Sequence, residues 1–223
     1  ILGEIPSVGT GQQPSLEKIL SLKPDLILGY EWQRSYYSQL SKIAPTVMID
    51  ISTGVKDFKR DFKRLAEILG KSDQVEGILA EYNEKIQKFR QRFGEKLKSK
   101  TISLLAFFSG NFHVIGPETL VHAQIMREAG IQFIPAYKNL KRNTQYNMSL
   151  EALPDWDADF LFIGLIDKNP LEDLEPVFKQ PLWSKLRAVR NDQVYILEKY
   201  FSGGPIGATQ FVEDLYEYFS SKL

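Results

Sequence analysis

Ser15-Leu16-Glu17-Lys18-Ile19-Leu20, followed by Lys23-Pro24-Asp25-Leu26-Ile27-Leu28, compresses a capped helix, a turn and a strand into one short stretch. Ser15 supplies the capping hydroxyl, and Glu17 falls in the first turn, where the helix dipole favours a carboxylate. Lys23-Pro24-Asp25 breaks the helix, and the apolar run behind it has the unalternating character of a strand covered on both faces. The same unit returns at Ser149-Leu150-Glu151 with Asp159-Phe160-Leu161-Phe162, and eight residues separate the glutamate from the aspartate both times. Two generic helix–turn–strand units can coincide by chance. The better reading is two lobes of like construction, each presenting a glutamate at the same place on its helix, with ligands taken in the cleft between them.

Outward from the first copy, Pro45 precedes a second strand, Thr46-Val47-Met48-Ile49. Asp57 opens a helix with apolar Phe58, Phe62, Leu65 and Leu69, which Gly70 ends. From Ser72 to about Lys98 there is no proline, and Val75, Leu79, Tyr82, Ile86, Phe89, Phe93 and Leu97 recur every three or four residues. That stripe defines one long amphipathic helix, read as a strut between lobes in preference to a coiled-coil partner. Beyond it the strand–helix rhythm resumes with Ile102–Phe108, Phe112–Ile115, Phe160–Ile163 and Val194–Leu197. A last helix carries Phe211, Leu215, Phe219 and Leu223. The polar segment from Ala136 to Asn147 reads as loop. The expected fold is α/β: an N-terminal lobe over 1–70, a connecting helix over 71–98 and a C-terminal lobe over 99–223.

Composition removes whole classes. Of 223 residues, 43% are hydrophobic and 25% charged, which argues against disorder. The 28 basic and 28 acidic residues cancel, so the basic footprint of a nucleic-acid binder is missing. With no cysteine there is no disulfide, iron–sulfur cluster or thiol catalysis, and two histidines do not build a His-rich metal site. No apolar run reaches the ~20 residues that span a bilayer. The chain begins with Ile1 and shows no signal peptide, which reads as a processed or trimmed form and not as a cytoplasmic address.

The order of elements, together with Val8-Gly9-Thr10, Pro14–Glu17, Lys23–Leu28, Ile43-Ala44-Pro45-Thr46, Leu65–Gly70, Val114-Ile115-Gly116-Pro117, Ser149-Leu150-Glu151, Pro181-Leu182-Trp183 and Ala188-Val189 running into Val194-Tyr195, resembles the substrate-binding proteins of ABC importers. The matching class has two Rossmann-like α/β lobes joined by a single long helix and serves iron–siderophore, haem and cobalamin uptake. Phe107–Pro117 and Pro181–Trp183 look most like the iron–siderophore branch. Only seven residues precede Val8, where members of the class have more chain, so the N-terminal lobe is expected to be incomplete.

The resemblance implies that Glu17 and Glu151 dock on arginines of a permease dimer in the cytoplasmic membrane, a bidentate and directional pairing. The plain alternative is a pair of first-turn acids that only stabilise their helices. A ferric siderophore already saturates its metal, so no iron ligand and no intrinsic cofactor are required of the protein. Aromatic faces and an arginine suit it instead. The loop after the first strand offers Tyr30, Trp32, Arg34 and Tyr36. The second lobe offers Phe108, Asn111, Arg142, Tyr146, Tyr200 and Phe201, with Arg142 as the second charge partner. Ordinary core packing and solvated loop positions compete with each of these assignments.

Weaker signals point elsewhere. Gly9-Thr10-Gly11 lacks the third glycine of a dinucleotide loop, and no Gly-x-Ser-x-Gly elbow occurs. His113 and His122 read as packed or surface histidines, and Asp155, Asp157 and Asp159 as a solvated turn in preference to a cation site. The expectation is a monomeric, non-enzymatic solute-binding protein of the periplasm or outer membrane face, lipid-anchored or not. It captures a ferric siderophore, hydroxamate or citrate–hydroxamate ahead of catecholate, and hands it to the permease for iron uptake. The alternatives are haem or cobalamin on the same scaffold, with Tyr30, Tyr36 or Tyr200 as a haem ligand, and a two-lobed enzyme such as a nucleotide-sugar transferase.

Overall fold

A computed structural model describes residues 5–49, 57–118, 120–140, 145–165, 170–197 and 204–223, and the chain divides into two compact units, Ile1–Gly54 and Val55–Leu223. In the first, Ser15 accepts from the Lys18 amide and starts α1 (Leu16–Ser21). Strand β1 (Ile27–Tyr30) runs into a 3-10 turn (Glu31–Tyr36) and the short α2 (Tyr37–Leu40). Strand β2 (Thr46–Ile49) then returns parallel to β1, with Ile27 opposite Thr46 and Tyr30 opposite Ile49. Ile19, Leu40 and Ala44 form its buried centre. The apolar run of β1 is less covered than its composition implies: Leu28 is 41% exposed, because two strands backed by short helices cannot enclose both faces.

The second unit is a three-layer sandwich. Its sheet consists of β3 (Thr101–Phe108), β4 (Asn111–Ile115), β5 (Gln132–Phe133), β6 (Gln145–Met148), β7 (Phe160–Leu165) and β8 (Val194–Leu197). The strands lie in the order β6-β4-β3-β7-β8, with β5 alongside the start of β3. Strands β3, β7 and β8 are parallel, and β4 runs antiparallel to both neighbours. Ser109 and Gly110, at φ 50° and 71°, make the two-residue hairpin between β3 and β4, a conformation glycine adopts freely.

Alternation along the strands sends Ile102, Leu104, Ala106, Phe160 and Phe162 to one core, under α3 (Phe58–Ile68), α4 (Val75–Leu97), α5 (Val121–Glu128) and α8 (Gly204–Lys222). Leu105, Phe107, Phe112, Val114, Leu161 and Ile163 face the other core, beneath 3-10 turns and the helices α6 (Pro170–Phe178) and α7 (Arg187–Arg190). No described helix is long and apolar enough to cross a membrane.

All seven stripe residues of α4 are buried, and the helix beds against α8 through Phe89–Phe219 and Phe93–Tyr216 ring contacts at 5.7 and 5.2 Å. Helix α3, grouped with the first lobe on sequence, packs on this second unit. Phe58 meets Tyr82 edge-on at 5.1 Å, and Lys59 pairs with Glu128 at 2.7 Å. Burial pushes the Tyr82 hydroxyl's pKa up, and the Glu128 carboxylate bonded to it at 3.0 Å adds to the effect. Where it is described, the segment read as loop over 136–147 contains a 3-10 turn (Pro135–Asn139) and the edge strand β6, whose pairing with β4 supplies what its polar sequence does not advertise.

Candidate ligand-binding site

The 3-10 turn after β1 organises the candidate site in the first unit. With three residues per turn, side chains three apart eclipse one another, so the turn has three distinct edges. One edge is an anchor: the Gln33 carboxamide accepts from the Tyr30 amide at 3.0 Å and donates to the Gly11 carbonyl at 2.7 Å, while the Tyr36 hydroxyl donates to the Gln12 carbonyl at 2.9 Å. The second edge carries Trp32, whose ring lies directly on Gly11. A β-carbon there would stand 2.6 Å from the indole, so the glycine makes room for the ring. The third edge brings Glu31 and Arg34 together in a two-pronged ion pair. Hydrogen bonding to Glu31, and then its charge, raises the Arg34 pKa.

Trp32 stacks with Tyr30 at 5.9 Å and 16°, and the two are 52% and 45% exposed. Large aromatic side chains this open to water are unusual unless they serve recognition. The expected cluster therefore separates into parts: Tyr30 and Trp32 form an open platform, Tyr36 is a tether with an occupied hydroxyl, and Arg34 is already paired. Gln33, Gly11 and Gln12, which hold the platform, have no part in the site on sequence, where Gly11 reads only as part of a Gly-Thr-Gly run unfit for a dinucleotide.

In the second unit, half-buried Phe108 stacks on His113 at 3.5 Å and 11°, and exposed Asn111 donates to the Ser109 carbonyl at 2.8 Å within the hairpin. Arg142, Tyr200 and Phe201 lie outside the described residues. Of Tyr146 only the backbone is described, paired with Val114. His113 and His122 are both buried, the latter edge-on to Phe211 at 4.5 Å. Among the described residues no group of three or more His, Asp or Glu could hold a metal ion. Two of the three alternating aspartates are structural: Asp157 accepts from the Arg187 and Ala188 amides, and Asp159 accepts from the amide and hydroxyl of Thr101, while Asp155 is exposed.

Glu17 and Glu151 are exposed in the first turns of α1 and of the 3-10 segment Leu150–Trp156. The Glu151 carboxyl is held below its usual range by its own amide and then by the Ser149 hydroxyl. Each glutamate sits at the end of its unit where the strands finish. In the first unit, the loop leading into α1 is bound to the turn after β1 through Gly11 and Gln12. In the second, Met148 pairs with Phe112, next to the Ser109–Gly110 hairpin, so Ser149 leaves the sheet at that same end.

The chain as a whole is similar to known proteins. A probable siderophore-binding lipoprotein of Bacillus subtilis, YfiY, is 26% identical over 227 residues, covering 96% of this chain and 69% of the relative. The Fe(3+)-citrate-binding protein YfmC of the same organism is 34% identical over 191 residues, covering 85% of this chain and 58% of its own length. The chain thus spans about three fifths to two thirds of these curated relatives. Among solved structures, Staphylococcus aureus SirA complexed with staphyloferrin B superposes with a TM-score of 0.77 at 27% identity, covering 96% of this chain and 77% of that one. The family model described as "Periplasmic binding protein" matches residues 2–201. Its members bind solutes and are not enzymes. With nine-tenths of its length matched, the chain belongs to the periplasmic binding protein family.

Proposed function

We propose that this chain is an extracytoplasmic solute-binding protein that captures a ferric siderophore and delivers it, as a monomer, to the permease dimer of an ABC importer for iron uptake. The observation that carries the reading is the exposed Tyr30–Trp32 stack, seated on Gly11 and fixed by Gln33. A preformed, immobile aromatic face costs little ordering on binding and suits a rigid, bulky chelate. The names of the relatives supply the solute class: a siderophore, ferric citrate and staphyloferrin B respectively. The iron stays in its chelate as cargo, so no protein ligand to it is required. Arg34, Tyr36, Phe108, Asn111, Arg142, Tyr146, Tyr200 and Phe201 complete the proposed contact set, with Glu17 and Glu151 as docking carboxylates. The lipoprotein name of one relative and the family itself support a place outside the cytoplasm.

Of the three tryptophans, Trp156 and Trp183 are buried and Trp32 is open, so quenching by an absorbing ferric chelate on the platform reports mainly through Trp32. Titration with ferrichrome, ferrioxamine B, ferric citrate, ferric enterobactin, haem and cobalamin should give saturable quenching with a ferric siderophore, lost in Trp32→Phe. Binding of haem or cobalamin alone, or quenching that survives the substitution, would overturn the assignment.

A further inference from the structure

The turn that carries the Tyr30–Trp32 stack pairs its own acid with its own base. Residues 5–15 and 30–39 contain one acid and one base, Glu31 and Arg34. The guanidinium engages the carboxylate on two prongs, Nε to Oε1 and, at 2.7 Å, Nη2 to Oε2. The pairing is built into the backbone, because positions three apart eclipse in a 3-10 turn and Gln33 and Tyr36 lock that turn to residues 11 and 12. Both partners are solvent-accessible, and in sequence Glu31 lies between Tyr30 and Trp32 with Arg34 two residues beyond, so a chelate lying on the stack meets, on the neighbouring edge of the same turn, a guanidinium already matched by a carboxylate.

Chelate chemistry turns this into a filter. Three singly charged hydroxamates cancel the charge of a ferric ion and give a neutral complex, whereas three doubly charged catecholates leave a trianion. A lone arginine would draw the trianion in. Paired as it is here, Arg34 offers little to it, and the Glu31 carboxylate repels it. Resting on the proposed capture of ferric siderophores, we propose that Glu31 is a specificity-determining residue which, by occupying Arg34, sets the preference of this surface for ferric chelates of zero or low net charge.

The test uses the full chain, wild type, Glu31→Gln and the double variant Glu31→Gln/Arg34→Gln, titrated with neutral ferrichrome and trianionic ferric enterobactin at low and high salt. An exposed pair contributes little to folding, so near-UV circular dichroism and melting temperature should match across the three proteins. Glu31→Gln should bind the trianion roughly tenfold tighter, leave the neutral chelate within about twofold, and lose the gain at high salt. The double variant should forfeit the gain. An unmoved preference ratio, or equal weakening of both ligands, would show Glu31 to be a structural tether and refute the inference alone. A wild-type chain that binds no ferric chelate would refute the capture function itself, and the inference with it.

Discussion

Replacing Tyr137 by Phe removes one oxygen atom and opens a hole in the hydrogen bonding of the central strand. Along one side β3 is paired to β7 from Ile102 to Phe107. Its other side is covered by β5 only at Thr101 and Ile102, and by β4 only from Ala106 onward. The gap falls at Leu104, and the Tyr137 hydroxyl fills it, accepting from the Leu104 amide at 2.9 Å and donating to the Leu104 carbonyl at 2.6 Å. Packing of the ring against Phe133 and Trp156, at 5.2 and 5.0 Å, survives the substitution, which isolates the hydroxyl's bonds: the two to Leu104 and a longer one, at 3.4 Å, to the buried Ser103 hydroxyl. Each buried backbone group left without a partner costs about 1–3 kcal/mol, less what is recovered by no longer burying a hydroxyl. The expected loss is therefore about 3 kcal/mol. With a urea slope of about 2 kcal/mol/M, the unfolding midpoint should fall by about 1.5 M. Urea titration followed by far-UV circular dichroism measures this, and amide exchange at Leu104 localises it. A shift below about 0.5 M at unchanged slope, or undiminished protection of the Leu104 amide, would refute the reasoning.

Three further outcomes are expected. Burial pushes the Asp159 carboxyl up, but the Thr101 amide and hydroxyl, Arg187 and Lys100 together hold it below its usual value. Its stabilising effect is therefore complete above the ordinary aspartate pKa of about 3.9 and is lost as pH falls through the lower folded value. Asp159→Asn should flatten the acid limb of the midpoint-versus-pH curve, and an unchanged limb would contradict the sign. Gly11→Val should push the indole off Tyr30 and weaken chelate binding at least tenfold, with a stability change under about 1 kcal/mol because the displaced ring is exposed; wild-type affinity would show that the stack is not the binding face. Glu17→Ala/Glu151→Ala should bind chelate normally and fail to support uptake through the cognate permease, and normal uptake would remove the docking role.

Periodicity made the helical core legible. The seven apolar positions read along residues 75–97 are the seven that α4 buries, since a stripe repeating every three or four residues has one way to hide. The allegiance of α3 was not legible. Its Phe58, Phe62 and Leu65 would suit either unit, and the choice is made by partners far along the chain, with Lys59 meeting Glu128 and the Phe58 amide meeting the Gln124 side chain. Strand β6 was equally hidden, because an edge strand draws its order from the neighbouring ladder and not from its own composition. Tyr137 lay in the same polar stretch. A tyrosine that completes a strand's hydrogen bonding looks, in sequence, like any loop tyrosine.

At the site, the density of aromatics after β1 was visible, but the local period was not. Read as an extended loop, residues 30–37 give no reason for Arg34 to meet Glu31; the 3-10 turn, which aligns positions three apart, supplies it. The repeated Ser-Leu-Glu, in contrast, carried a topological consequence that needed no coordinates. A helical segment that leads back to the start of a parallel strand must itself begin where the strands end. The loops that follow those strands emerge at that same end. A glutamate in the first turn of such a segment is thereby obliged to stand beside the loops available to a ligand. In both units it does, next to the Tyr30–Trp32 turn in one and the Ser109–Gly110 hairpin in the other. If the two carboxylates engage a permease, the surface that docks and the surface that holds the cargo are neighbours within each unit. A loaded chain then differs from an empty one at the docking face directly, without a signal having to cross the core.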